Sequence, residues 1–173
     1  PVTNDRRSAG TAASLIGIES AAEAVEGIDE STPQWREEEL RTWLEERFNA
    51  LRLANAIIYG WGGVPVIWSG DELGQFNDPN WDTEPGHESD SRWAGRPALD
   101  ESRMENRRDR STVEGRVFSD LAHLGKVRAG LPQLSADVRT VVAPVDDEGV
   151  LVTYRDHPRG SFVGVYNVTP DWR

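Results

Sequence analysis

The residues with the strongest chemical character crowd between Gly70 and Trp93. Asp71 and Glu72 invite an acid/base assignment, but adjacent residues leaving a strand point to opposite sides. They cannot form the close carboxylate pair that a retaining glycosidase sets across one bond. The reading is that Gly70, Asp71 and Glu72 shape a strand exit, with both carboxylates anchoring the loop as hydrogen-bond acceptors. Asp78, Asp82, Glu84, Glu88 and Asp90 offer oxygens to a hard cation, yet not in the order of an EF-hand loop, and a solvated acidic loop accounts for them. His87, His123 and His157 lie far apart without zinc-site spacing, so no metal is expected; His123 is expected half-buried. A phosphate-binding glycine loop and a nucleophile elbow are both missing, and no cofactor is implied. In Asp90-Ser91-Arg92-Trp93 the planar guanidinium fork can clamp a carboxylate or a sugar hydroxyl while the indole supplies a stacking face. An ordinary surface ion pair explains the same composition.

These residues need elements to hold them. Val64 to Trp68 is apolar without alternation, the pattern of a strand covered on both faces, and Gly62, Gly63 and Gly70 bracket it. Pro65, near its start, removes one ladder donor. Upstream, Ala9 to Ile18 reads as a small-residue helix and Glu19 to Thr32 as an acidic linker or surface excursion. Pro33 then opens a long amphipathic helix, with Leu40, Trp43, Leu44, Phe48, Leu51, Asn55 and Ile58 at three- and four-residue intervals up to Gly60. Downstream, Ser111-Thr112-Val113-Glu114 reads as a capping box for a second helix that ends at Gly130. From Val138 the pattern turns to β, with runs 138–145, 150–154 and 162–168 separated by turn residues, as in an antiparallel meander. One boundary is placed at 131, giving regions 1–131 and 132–173.

The bulk composition narrows the partners. A net charge of -11 opposes binding to a phosphate backbone, so nucleic acid is not expected. No apolar run reaches the length of a membrane span, and the expectation is a soluble chain with no membrane partner, its compartment left open. Without cysteine there are no disulfides.

As a set, several segments are similar to amylosucrases of the α-amylase superfamily (glycoside hydrolase family 13). Gly63 to Glu72 resembles the motif on that superfamily's last barrel strand. Arg7 to Ala13, Gly74 to Asp78, Asp90 to Trp93 with Arg96-Pro97, and Thr112 to Arg116 with His123-Leu124 follow in the same order. The resemblance implies the C-terminal part of a (β/α)8 TIM barrel, its last strand and flanking helices, followed by the start of an antiparallel β-domain. It further implies transfer of a glucosyl unit from sucrose to an α-1,4-glucan with release of fructose. Arg92 matches an arginine that pairs with an aspartate at the floor of the glucosyl pocket, that partner being expected upstream, and Arg7 matches an arginine lining the acceptor subsites. Asp90 and Trp93 belong to the same substrate-binding motif. The nucleophilic Asp and the acid/base Glu have no counterpart here, so the chain is expected to be inactive alone and to work with the rest of its own barrel. A sucrose or α-glucan hydrolase and a non-catalytic carbohydrate-binding module are the alternatives.

Overall fold

The structure, a computed structural model, describes residues 9–170. The first helices follow from small side chains and one glycine. Thr11 caps α1 (Ala12–Ile16), its hydroxyl accepting from Ser14 N, and left-handed Gly17 breaks it from α2 (Ile18–Glu26). In α2, Ile18, Ala21 and Ala22 are buried at helical spacing. The expectation of a linker from Glu19 is therefore corrected: the alanines are the core face of a helix, and only the polar residues between them face water. Pro33 sets the start of α3 (Gln34–Trp61), where Arg36 pairs with Glu39 and Arg41 with Glu37 on a solvated face.

From Ser69 to Ser111 the backbone is built from short turns. It makes 3-10 turns at Asp71–Leu73, Trp81–Thr83 and Ser91–Gly95 and one short helix, α4 (Glu101–Asn106), capped by Asp100. In α5 (Val113–Ala129) the cap is Thr112, whose hydroxyl accepts from Gly115 N. The cap thus falls one residue after the expected Ser111, whose N–H donates to Asp109 Oδ1 at 2.9 Å, and Glu114 accepts from Arg103 Nε at 2.6 Å instead of reaching back. His123 is exposed rather than half-buried: Leu121 takes the inward position, and a residue two further on lies roughly 200° round the helix.

Three strands, β1 (Val141–Ala143), β2 (Val150–His157) and β3 (Gly160–Asn167), pair antiparallel in the order β1-β2-β3. The fold is thus a mixture of helices with a small three-stranded antiparallel sheet. Register places Val141, Tyr154 and Val163 in one row and Thr153 opposite Gly164. The expected strand at Val64–Trp68 does not form. It belongs to no sheet, because none of the three strands lies alongside to complete a ladder. Its apolar residues stay open: Val64, Val66 and Trp68 are 81, 77 and 59% exposed.

The contacts divide the chain into two units that alternate along it. One comprises Pro1–Leu51 and Ile67–Ser119, the other Arg52–Val66 and Asp120–Arg173. In the first, Arg116 pairs with Glu45 and lies 4.0 Å from the Phe48 ring centroid, and Val117 and Leu73 are buried. In the second, the sheet turns Thr153, Arg155 and Tyr166 inward. Tyr166 reaches the end of α3 because Gly60 has no side chain there; a Cβ on Gly60 would collide with the phenol hydroxyl. Among the described residues no helix is long and apolar enough to cross a membrane.

Candidate functional site

The first unit holds the residues singled out by sequence, and its loop is tied down by side chains that accept backbone N–H groups. Asp71 Oδ1 accepts from Ala12 N at 3.3 Å, and Glu72 Oε2 accepts from Gly70 N at 2.8 Å. Asn77 Oδ1 accepts from Thr11 N at 2.8 Å, while Asn77 N donates to Ser14 Oγ at 2.9 Å. Three polar contacts therefore join the start of α1 to the loop after Ser69 and a fourth closes the loop on itself, each satisfying a donor that would otherwise be orphaned. Burial pushes the Asp71 carboxyl above the usual carboxylate range, with the Glu72 charge adding to it and the Ala12 N–H opposing it.

The turn at Ser91–Gly95 is fastened to the same loop. Asp78 N donates to Ala94 O at 2.9 Å and Gln75 Nε2 to Ala98 O at 2.6 Å. Gly95 sits directly against the backbone of Gly10: a Cβ there would lie 2.9 Å from the Gly10 carbonyl carbon. Only a glycine allows this approach. Between these parts opens a cavity of about 350 Å³ lined by Ala9, Gly10, Thr11, Trp68, Asp71, Arg92, Gly95 and Arg96.

Arg92 lies at this cavity, near the exit of the Val64–Trp68 segment, but not as a desolvated clamp. Its side chain is 70% exposed. Its Nε donates to both oxygens of Asp90, at 2.7 and 3.0 Å, and Nη2 donates at 2.6 Å. Asp90 also caps the turn by accepting from Arg92 N at 3.1 Å. These hydrogen bonds from Arg92, aided by its charge, pull the Asp90 carboxyl down to about 2. The partner of Arg92 in this structure thus comes from its own turn. The desolvation cost expected for an upstream pair does not arise in an exposed one.

Trp93 does not offer the free stacking face that its motif suggests. The His87 ring lies on it with centroids 3.8 Å apart and an interplanar angle of 8°, and the Arg96 guanidinium is 5.2 Å from its centroid. The aromatic that lines the cavity is Trp68. Arg7 lies outside the described residues. Among the described residues no group of three acidic or histidine side chains could hold a metal ion. Asn77, Arg96 and Trp68 were missed as site residues; the signal for all three was their membership of the motif segments. No protein-family model matches the chain.

Proposed function

We propose that this chain is the C-terminal part of a sucrose-using transglucosylase, one that passes a glucosyl unit from sucrose to an α-1,4-glucan and releases fructose. The observation that carries this reading is convergence. Ala9, Gly10, Thr11, Trp68, Asp71, Arg92 and Arg96 all come from the amylosucrase-like segments, and they wall one cavity. Its volume of about 350 Å³ lies at the small end of ligand pockets, roughly 300–1,000 Å³, and suits a single hexose unit. The open face of Val64, Val66 and Trp68 supports the same reading. As the last strand of a (β/α)8 barrel it would be covered by neighbouring strands, since parallel sheets are buried on both faces.

Among the described residues the cavity wall contains one carboxylate, Asp71. Retaining glucosyl transfer uses two carboxyl groups about 5 Å apart, one as nucleophile and one as acid/base. In this reading both come from the rest of the protein, and this chain contributes the guanidinium groups and backbone that orient the sugar. The same shortage of carboxylates favours a second reading, a carbohydrate-binding module without catalysis.

Sucrose assays test this. The full-length protein is expected to release fructose with growth of glucan, and residues 1–173 alone to release none. Arg92→Ala in the full-length protein is expected to lose sucrose turnover; near-normal turnover rejects the pocket assignment. Fructose release without glucan growth selects a hydrolase. Glucan binding by the isolated chain, with no turnover by the longer protein, selects the module.

A further inference from the structure

We propose that Arg96, beside Arg92, offers the cavity a second guanidinium fork for a neutral sugar, one not already engaged by a side-chain carboxylate. This rests on the sucrose reading above. The two arginines lie on the same cavity wall but differ in what occupies them. Arg92 is engaged by Asp90 through three side-chain hydrogen bonds, and the pair is close to neutral. Arg96 forms no ion pair with a carboxylate among the described residues, although its charge is felt by Asp90, and its guanidinium lies 5.2 Å from the Trp93 ring centroid. A guanidinium held by an aromatic keeps its N–H donors free for a ligand.

Its position is fixed before any ligand arrives. Arg96 N donates to Trp93 O at 2.9 Å, and the segment is pinned on one side by Asp78 N to Ala94 O and on the other by Gln75 Nε2 to Ala98 O. Trp93 is itself held by the stacked His87 ring. Pro97 restricts the backbone of Arg96 further. Little ordering entropy remains to be lost on binding, which is how a preorganised donor gains affinity.

The charges indicate the ligand class. The Arg92–Asp90 pair is balanced, the charge of Arg96 also reaches Asp90, and Asp71 lines the same cavity as Arg96. A phosphate or carboxylate would meet Asp71 as well as Arg96, whereas a polyol can accept from the fork and donate to the carboxylate. Adjacent hydroxyls of a hexose present the paired acceptors that the planar fork matches and a lysine ammonium does not.

Steady-state kinetics of the full-length protein on sucrose test the proposal. Arg96→Ala is expected to raise KM about tenfold with kcat unchanged, the fold-change of one charge-assisted hydrogen bond lost. Arg96→Lys keeps the charge but not the fork and is expected to give an intermediate KM. An unchanged KM in Arg96→Ala overturns the proposal. If that variant does not fold, Arg96→Lys decides, and a wild-type KM there overturns it. Competition by inorganic phosphate against sucrose would show an anion site and overturn it too. Failure of the wild-type protein to turn over sucrose removes the underlying reading and this inference with it, an outcome distinct from an Arg96 variant that behaves like wild type.

Discussion

Arg155 and Arg92 use the same side chain for opposite ends, one in each unit. Arg155 is 2% exposed and among the described residues touches no carboxylate. Its Nε donates to Gln133 O at 2.6 Å, Nη1 to Trp61 O at 2.6 Å and to the Thr140 hydroxyl, and Nη2 to Ser135 O at 2.5 Å. Trp61 is the last residue of α3, where unsatisfied carbonyls carry the partial negative charge of a helix end. Arg128 adds to this arrangement by donating to Tyr59 O, Gly63 O and Leu134 O. Burial, and then the charge of Arg128, pull Arg155 below the ordinary guanidinium value, yet an arginine stays charged in any working range. Arg92 has a formal counter-ion and lies mostly in water. A salt bridge is thus no guide to structural weight: the arginine without one fastens a helix end and a sheet, and the arginine with one is available for function.

The sharpest test of that contrast is Arg155→Ala. It removes charged hydrogen bonds to three carbonyls, each contributing about 1.5–3 kcal/mol, and leaves Gln133 O unpaired while Trp61 O keeps the Thr140 hydroxyl and Ser135 O keeps Val138 N, so a loss of about 3 kcal/mol or more is expected in denaturant unfolding. A loss no larger than for an exposed arginine would break the comparison. Next in size is Gly95→Ala, whose Cβ meets Gly10 backbone that cannot rotate away. A loss of about 1–3 kcal/mol is expected, as for other overpacked sites, read as a lower urea midpoint. An unchanged midpoint would mean that the Gly10 segment yields freely.

The smallest effects are in pH, and they have opposite signs at the two cavity-side acids. Asp90 is depressed, so it stabilises the fold above its unfolded value near 3.9 and loses that contribution as pH falls through about 2. Asp71 is raised, so its contribution is present below the unfolded value and is lost as pH rises through the folded one. Carboxyl resonances followed by NMR are expected to titrate in the order Asp90 before Asp71 as pH rises; the reverse order would separate neither acid from its neighbours.

Much of the fold was legible because it is local. Pro33 and the apolar spacing after it gave the long helix, and the turn residues 146–149 and 157–160 gave the meander. What failed was settled by competition between partners. Glu114 had a capping role within its own helix but is taken by Arg103, and Trp93 had a free face until His87 covered it. In β2, Val150, Val152 and Tyr154 form the apolar side of the alternation, yet Thr153 and Arg155 face inward. No alternation rule finds that, because the inward guanidinium answers carbonyls contributed by α3 and the segment before β1.

The sequence alone determined where helices and turns begin and which segments carry recognition chemistry, since capping, proline geometry and apolar period act over a few residues. Tertiary structure alone decided that Gly10, Asp71 and Arg96 share one cavity, and which arginine there is left free. Those outcomes depend on backbones some sixty to eighty residues apart approaching within hydrogen-bond reach, as in Thr11 N to Asn77 Oδ1 at 2.8 Å, and no local preference encodes that approach.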